Sequence, residues 1–214
     1  MNAVDYRKKW LFHISPIENL AGILEAGGLW CKSELIERDV LSQSLAHGHL
    51  MEQRAIKEVP GSAGGVLHDY VPFLFGPRSP MLCAIAHGRV AGADQGQVLH
   101  LATTVENILN AELPFVFSSG HPLVAPSNFH QSLPEMAQLD WPLFTSEYWN
   151  KTESDPDRPR RRQAEFLVHR FVPLHLLRGI GTRDEVIARQ VRAILQDHNN
   201  MQIAVKAKPD WYYT

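Results

Sequence analysis

The sequence is short of most features that mark a special class of protein. Only two cysteines occur, Cys31 and Cys83, far apart and without a C-x-x-C spacing. That excludes a disulfide-built scaffold and fits a reducing compartment. No run of about 18 apolar residues is present, so no membrane span is expected, and the polar start does not read as a signal peptide. The expected setting is cytoplasmic, with no membrane partner. Charge of neither sign prevails, with 21 basic against 23 acidic residues. A nucleic-acid partner must therefore be met by local clustering, not by a global field. The motifs G-x-S-x-G, G-x-x-x-x-G-K-S/T and G-x-G-x-x-G are all missing, and serine-hydrolase, P-loop and Rossmann readings go with them. Of the 11 histidines, neither His47-x-His49 nor His68-Asp69 has the i, i+4 helical pairing or the cysteine partner of a zinc site, so no metal is expected. With 214 residues, 44% of them hydrophobic, and no internal repeat, the chain reads as one domain spanning residues 1–214.

What is present is one unusual junction. Arg161-Arg162-Gln163-Ala164-Glu165-Phe166-Leu167-Val168-His169 runs from a cluster of arginines into a glutamate that opens a short apolar strand. A carboxylate there is costly unless it has a partner or a task. The plain reading is a strand-edge Glu165 paired with Arg161 or Arg162. Near the amino terminus, residues 10–14 read as a strand that hands over to a helix, with Ser15 as N-cap, Pro16 at the first helical position and Glu18 closing an S-x-x-E box. Gly27-Gly28 stops that helix. The turn would set His13 beside the free N–H groups of a helix start, a place for phosphate or ribose. A core histidine held by backbone is the other reading.

Residues 39–57 read as a polar helix, more flap than core, with Arg54 near its end. The aromatic strand 70–75 is broken by Pro72, which suits a sheet edge or the margin of a cleft. A helix over 81–86, a strand over 97–102, a helix from Thr104 to Ala111 and a strand over 115–117 follow. Residues 118–160 are irregular, and so long a loop is commonly functional. Tyr148 and Trp149 with Arg158, Arg160, Arg161 and Arg162 combine flat faces for bases with cations for a backbone, as single-stranded nucleic acid requires. A core reading stands beside this for Trp141 and Trp149. Residues 165–173 form a strand, Thr182-x-x-Glu185 a second capping box, and 202–207 a last strand, with the aromatic tail 209–213 packed over the sheet. A histidine, a flap arginine, an aromatic strand and a glutamate suit chemistry at a glycosidic carbon. Breaking an N-glycosidic bond leaves positive charge on the sugar, which a carboxylate stabilises.

Phe12-His13-Ile14-Ser15 with Asn19-Leu20-x-Gly22-Ile23-Leu24, Gly65-Val66-Leu67-His68-Asp69-Tyr70-Val71-Pro72-Phe73, Pro77-Arg78-Ser79-Pro80-Met81-Leu82, Arg162-Gln163-Ala164-Glu165-Phe166-Leu167-Val168 and the end Asp210-Trp211-Tyr212-Tyr213 stand in one order along nearly the whole chain. In these pieces the sequence resembles the DarT family, DNA ADP-ribosyltransferase toxins of bacterial toxin–antitoxin pairs. The resemblance implies an ADP-ribosyltransferase fold, a mixed α/β (α+β) domain with a split central sheet and an NAD cleft. It implies transfer of ADP-ribose from NAD, as co-substrate, onto a base in single-stranded DNA, thymidine in the better-matching branch, with a DarG-like macrodomain antitoxin as partner. Glu165 matches the catalytic glutamate, and Arg54 an arginine that acts on the base and contacts NAD. His13, Ile14, Ser15, Gly22 and Trp30 match NAD-contacting positions, although Trp30 departs from the smaller aliphatic residue of the pattern. Residues 35–57 would cover NAD, and 118–160 would carry the DNA strand. Two other outcomes are weighed with this one: a catalytically silent nucleic-acid-binding module of the same fold, and an enzyme acting on RNA or protein.

Overall fold

The computed structural model describes residues 4–40, 42–43, 45, 48–61 and 63–214. Leu41 of the expected flap helix and His47 of the His-x-His pair lie outside them. The strands are β1 (Trp10–Pro16), β2 (Gly28–Trp30), β3 (Tyr70–Leu74), β4 (Val98–Thr104), β5 (Phe115–Ser118), β6 (Phe129–His130), β7 (Glu165–His169), β8 (Phe171–Pro173), β9 (Gly179–Thr182) and β10 (Val205–Ala207). The helices are α1 (Leu20–Glu25), α2 (Lys32–Glu37), α3 (Gly48–Ile56), α4 (Pro80–Ala86), α5 (Val105–Asn110), α6 (Trp141–Thr145), α7 (Arg158–Arg162) and α8 (Glu185–Asp197). An eight-stranded sheet runs β10-β9-β4-β1-β3-β7-β5-β6, and β2 pairs with β8 in a small second sheet. The inner strands carry the core. Nearly every residue of β4 is buried, as expected of a strand covered on both faces. α8 buries Ile187, Ala188, Val191 and Leu195, a single helical face.

The large sheet is split between β1 and β3. β1 pairs with β4 along its full length, from Trp10 opposite Thr104 to Pro16 opposite Val98. Toward β3 it makes, among the described residues, the one pair Phe12 opposite Leu74. On its other side β3 pairs fully with β7, from Tyr70 opposite His169 to Leu74 opposite Glu165. Pro72 accounts for part of the gap. Its carbonyl faces β1 and accepts from His13 Nδ1 at 2.9 Å, and a strand residue's N–H and C=O point to the same side, so the donor that proline lacks is missing on that side. The strand at Pro72 is therefore an interior strand at a cleft margin, not a sheet edge. Phe12, Leu74 and Glu165 lie abreast across β1, β3 and β7 at the closed end of the split.

Several local expectations are corrected. β1 continues through Ser15 and Pro16, and a 3-10 turn, Ile17–Asn19, precedes α1. Ser15 caps nothing; its Oγ accepts from Asn19 Nδ2 at 3.1 Å. Among the described residues of 39–57, only α3 is helical. The strand expected over 165–173 breaks at Arg170, whose φ of 61° turns the chain into β8. The second capping box is displaced by two residues: Asp184 caps α8, accepting from Ile187 N–H at 3.0 Å, while the Thr182 hydroxyl donates to the Asp184 carbonyl at 2.9 Å. The last strand is shorter than expected. The tail does pack over the sheet. Trp211 meets Phe12 and His100 edge-on, and Tyr212 donates to the Val98 carbonyl at 2.6 Å. His100 is fully buried there, which pushes its pKa down to about 4. Residues 118–160 are irregular but anchored, because Met136, Leu139 and Phe144 join the main core and Trp141 packs against it.

Candidate active site

Where β1 and β3 part, a cleft of about 380 Å³ opens. That volume is of ligand-site size, and the walls are mainly apolar with a few polar groups, the usual composition of such a site. It is lined by β1 from Phe12 to Pro16, by Gly22 and Ile23 of α1, by Trp30, Cys31 and Lys32, and by Leu35, Met51 and Arg54. Tyr70, Pro72, Leu74 and Glu165 form the opposite wall. Burial pushes the Cys31 thiol pKa up, which disfavours its thiolate.

Glu165 is fixed at both ends. Its backbone N–H donates to Ser118 Oγ at 3.0 Å, and the buried Ser118 hydroxyl donates in turn to the Gly120 carbonyl at 2.6 Å. Its carboxylate accepts both guanidinium arms of Arg54, each at 3.0 Å, in a bidentate fork that sets the carboxylate plane. The pairing with Arg161 or Arg162 expected from neighbourhood in the chain is thus replaced by one that spans 111 residues. The pair is not sealed away. Both side chains line the cleft and keep 13–14% of their surface exposed.

The two readings of His13 merge. Its Nδ1 bonds the Pro72 carbonyl, its ring sits edge-on to Phe73 at 5.8 Å, and it also lines the cleft. Burial lowers its pKa. The ring is therefore neutral, and with Nδ1–H given to the carbonyl its Nε2 is an acceptor. Ile14, Ser15, Gly22 and Trp30 line the same cavity. A Cβ at Gly22 would meet no protein atom within 4 Å, so the space beside it belongs to the cleft. Trp30 is held rigidly: it stacks on Phe171 at 4.1 Å, and the Arg38 guanidinium lies 4.0 Å from its ring centre. Glu34 bonds both Arg38 and Arg170. Gly28 lets β2 approach closely enough for this, since its φ is 156° and a Cβ would collide with the Val172 carbonyl of β8.

Two histidines that the sequence did not tie to the site are brought to it. His68, weighed only as a metal ligand, lines the cleft with its Nε2 buried and unpartnered. His121, at the start of the long loop, lies within electrostatic reach of Glu165 and Arg54, and burial lowers its pKa. Its Nδ1 accepts from Leu123 N–H at 3.2 Å. Neither was legible, because nothing in the spacing of the chain ties residues 68 or 121 to residue 165. Among the described residues no group of three or more His, Cys, Asp and Glu is placed to hold a metal.

The arginines expected as a cationic patch are engaged with the protein itself. Arg162 is 4% exposed, and its guanidinium donates to the carbonyls of Leu143 and Arg78. Arg161 is shared among Asp140, Asp155 and Asp157. Arg160 forks onto Asp157 and also reaches Ser127. Arg158 donates to the Tyr148 carbonyl at 2.6 Å. These arginines brace the segment before β7. Tyr148 is the exposed aromatic there, 58% open to solvent, while Trp149 is half-buried with its Nε1 on the Tyr213 hydroxyl.

Comparison with known proteins places the chain in a family. The family profile "ssDNA thymidine ADP-ribosyltransferase, DarT" matches residues 12–213. A "DNA ADP-ribosyl transferase" of Thermus sp. (strain 2.9) is 37% identical over 205 residues, 95% of either chain. The solved structure "Thermus sp. 2.9 DarT in complex with ADP-ribosylated ssDNA" superposes with a TM-score of 0.91 at 35% identity, covering 100% of both chains. Another, "Thermus sp. 2.9 DarT in complex with NAD+", gives 0.86 over 96% of this chain and 98% of that one. With a split sheet, a cleft carboxylate forked by Arg54 and a match along nearly all of its length, the chain belongs to the DarT family of single-stranded-DNA thymidine ADP-ribosyltransferases.

Proposed function

We propose that this chain transfers ADP-ribose from NAD to a thymidine base in single-stranded DNA, releasing nicotinamide, as a toxin held in check by a DarG-like macrodomain antitoxin. The observation that carries the reaction is the Glu165 carboxylate, forked by Arg54 at the closed end of a cleft that His13, Ile14, Ser15, Gly22 and Trp30 also line. The bond that breaks joins the ribose C1′ to nicotinamide, which leaves with the bonding electrons; the bond that forms joins C1′ to a nitrogen of the base, whose proton passes to solvent water. Positive charge grows on the ribose in between, and Glu165 supplies the opposite charge where water is largely excluded. Arg54 stays protonated throughout. It orients Glu165 and stabilises the negative charge that develops on the base carbonyls as the nitrogen is deprotonated. His121, with Nδ1 accepting from Leu123 N–H, carries its proton on Nε2 and donates to the base alongside Arg54. The pair that joins α3 to β7 fastens residues 35–57 over NAD. Residues 118–160 receive the DNA strand, with Tyr148 and Trp149 for stacking, Arg158 and Arg160 at the rim, and Arg161 and Arg162 supporting the loop from beneath.

The test is incubation with radiolabelled NAD and a panel of single-stranded DNA with and without thymidine, single-stranded RNA and protein. Label is expected on thymidine-containing DNA alone. Label on RNA or protein and never on DNA moves the assignment to another substrate, and salt-dependent DNA binding without NAD turnover reduces the chain to a binding module.

A further inference from the structure

Beyond the groups around Glu165, the cleft is lined by two basic side chains with no assigned task, Lys32 and His68, and the charge of the first is felt at the second. The Ser33 hydroxyl donates to Asp69 Oδ1 at 2.6 Å, and Asp69 Oδ2 accepts from Val66 N–H at 2.8 Å. This clasps the start of α2 to the 3-10 turn Leu67–Asp69. The neighbours of the clasped residues, Lys32 and His68, both line the cleft. Apart from the histidines, four acidic or basic side chains among the described residues line it: Glu18, Lys32, Arg54 and Glu165. Arg54 and Glu165 neutralise one another, whereas Lys32 makes no ion pair among the described residues. His68 is 8% exposed, and its Nε2 has no hydrogen-bond partner. A buried polar atom left unpaired beside a cavity calls for an explanation, and a ligand group is the most direct one.

We infer that Lys32 and His68 form the part of the cleft that holds the diphosphate of NAD, an inference that rests on the NAD reading above. A diphosphate between them gives the ammonium a counter-charge and the imidazole an acceptor, and so satisfies both groups at once. The neighbourhood argues against His68 as the acceptor of the base proton. Burial, and then Arg54 and Lys32, lower its pKa, so an imidazolium would be disfavoured beside those cations until an anion is present. Arg54 connects the two parts of the cleft, since it pairs with Glu165 and its charge is also felt at His68.

The experiment is calorimetric titration of the full chain with NAD, ADP-ribose and the phosphate-free nicotinamide riboside, the last read by competition. Lys32→Ala is expected to weaken NAD and ADP-ribose on the order of tenfold, the size of one charge-assisted hydrogen bond, with nicotinamide riboside unaffected. Lys32→Arg should restore most of the loss, and His68→Gln, which keeps a donor, should bind better than His68→Phe. Lys32 is half-exposed, so its variants keep the test decisive if the buried His68 variants fail to fold. Unchanged ADP-ribose affinity in Lys32→Ala, or equal losses for all three ligands, overturns the inference while leaving NAD binding intact. A wild-type chain that binds neither NAD nor ADP-ribose overturns the inference and the NAD reading together.

Discussion

Two regions of this molecule pair arginine with carboxylate, and they do opposite things. In the segment before β7 the partners are near in sequence: Asp157 takes Arg160 and Arg161 at helical spacing, and Asp155 shares Arg161 six residues on. In the cleft the partners are 111 residues apart and tie a covering helix to the central sheet on the wall of a cavity. The first arrangement consumes its charges in holding a loop. The second leaves a carboxylate and a guanidinium facing a ligand. A dense run of arginine is thus poor grounds for an anion site, and one distant pair in a cleft is better grounds for chemistry.

The comparison is broken or sharpened by four substitutions. Glu165→Gln keeps the shape and removes the charge; transfer is expected to fall roughly 10²–10³-fold or more, the range seen when transition-state electrostatics are removed, while the broken Arg54 fork lowers the melting temperature but leaves the chain folded. Arg162→Met should act on stability instead, by about 2–4 kcal/mol, because the Leu143 and Arg78 carbonyls lose a buried donor. The surviving folded protein should turn over NAD normally, as denaturant titration beside a rate assay will show; lost transfer at full stability would place Arg162 in the catalytic machinery. Arg54→Lys keeps the charge but loses the fork, and should lower kcat by about 10- to 100-fold through misplacement of Glu165. Arg161→Ala, at a quarter-exposed site, should cost at most about 1 kcal/mol and raise the KM for DNA more than that for NAD.

The parts of the fold that were legible depended on local pattern. The strand bearing Glu165 and the helix that starts at Thr104 were both read from neighbouring residues. The errors came where a nearer competitor won. Asp184 outcompetes Thr182 as a cap, and pairing with β4 draws Ser15 and Pro16 into β1 before any helix can start. The arginine cluster misled for a plain reason: read from residue 158 onward it contains one acid, while Asp155 and Asp157, which neutralise it, stand just before. Glu165 and Arg54 were singled out from the residues themselves, and the resemblance attached roles to them. Their direct fork was not, because only the folded register brings α3 across to β7. Pro72 was the most informative single residue, since its missing donor marks where the sheet opens.

The central claim is that the cleft around Glu165 joins ADP-ribose to thymidine. It is tested most directly by mass spectrometry of nucleosides released from single-stranded DNA after incubation with NAD and either the wild-type chain or Glu165→Gln. Thymidine carrying one ADP-ribose with the wild type alone is the predicted result; the same adduct formed equally by both proteins, or none on any nucleoside, would contradict it.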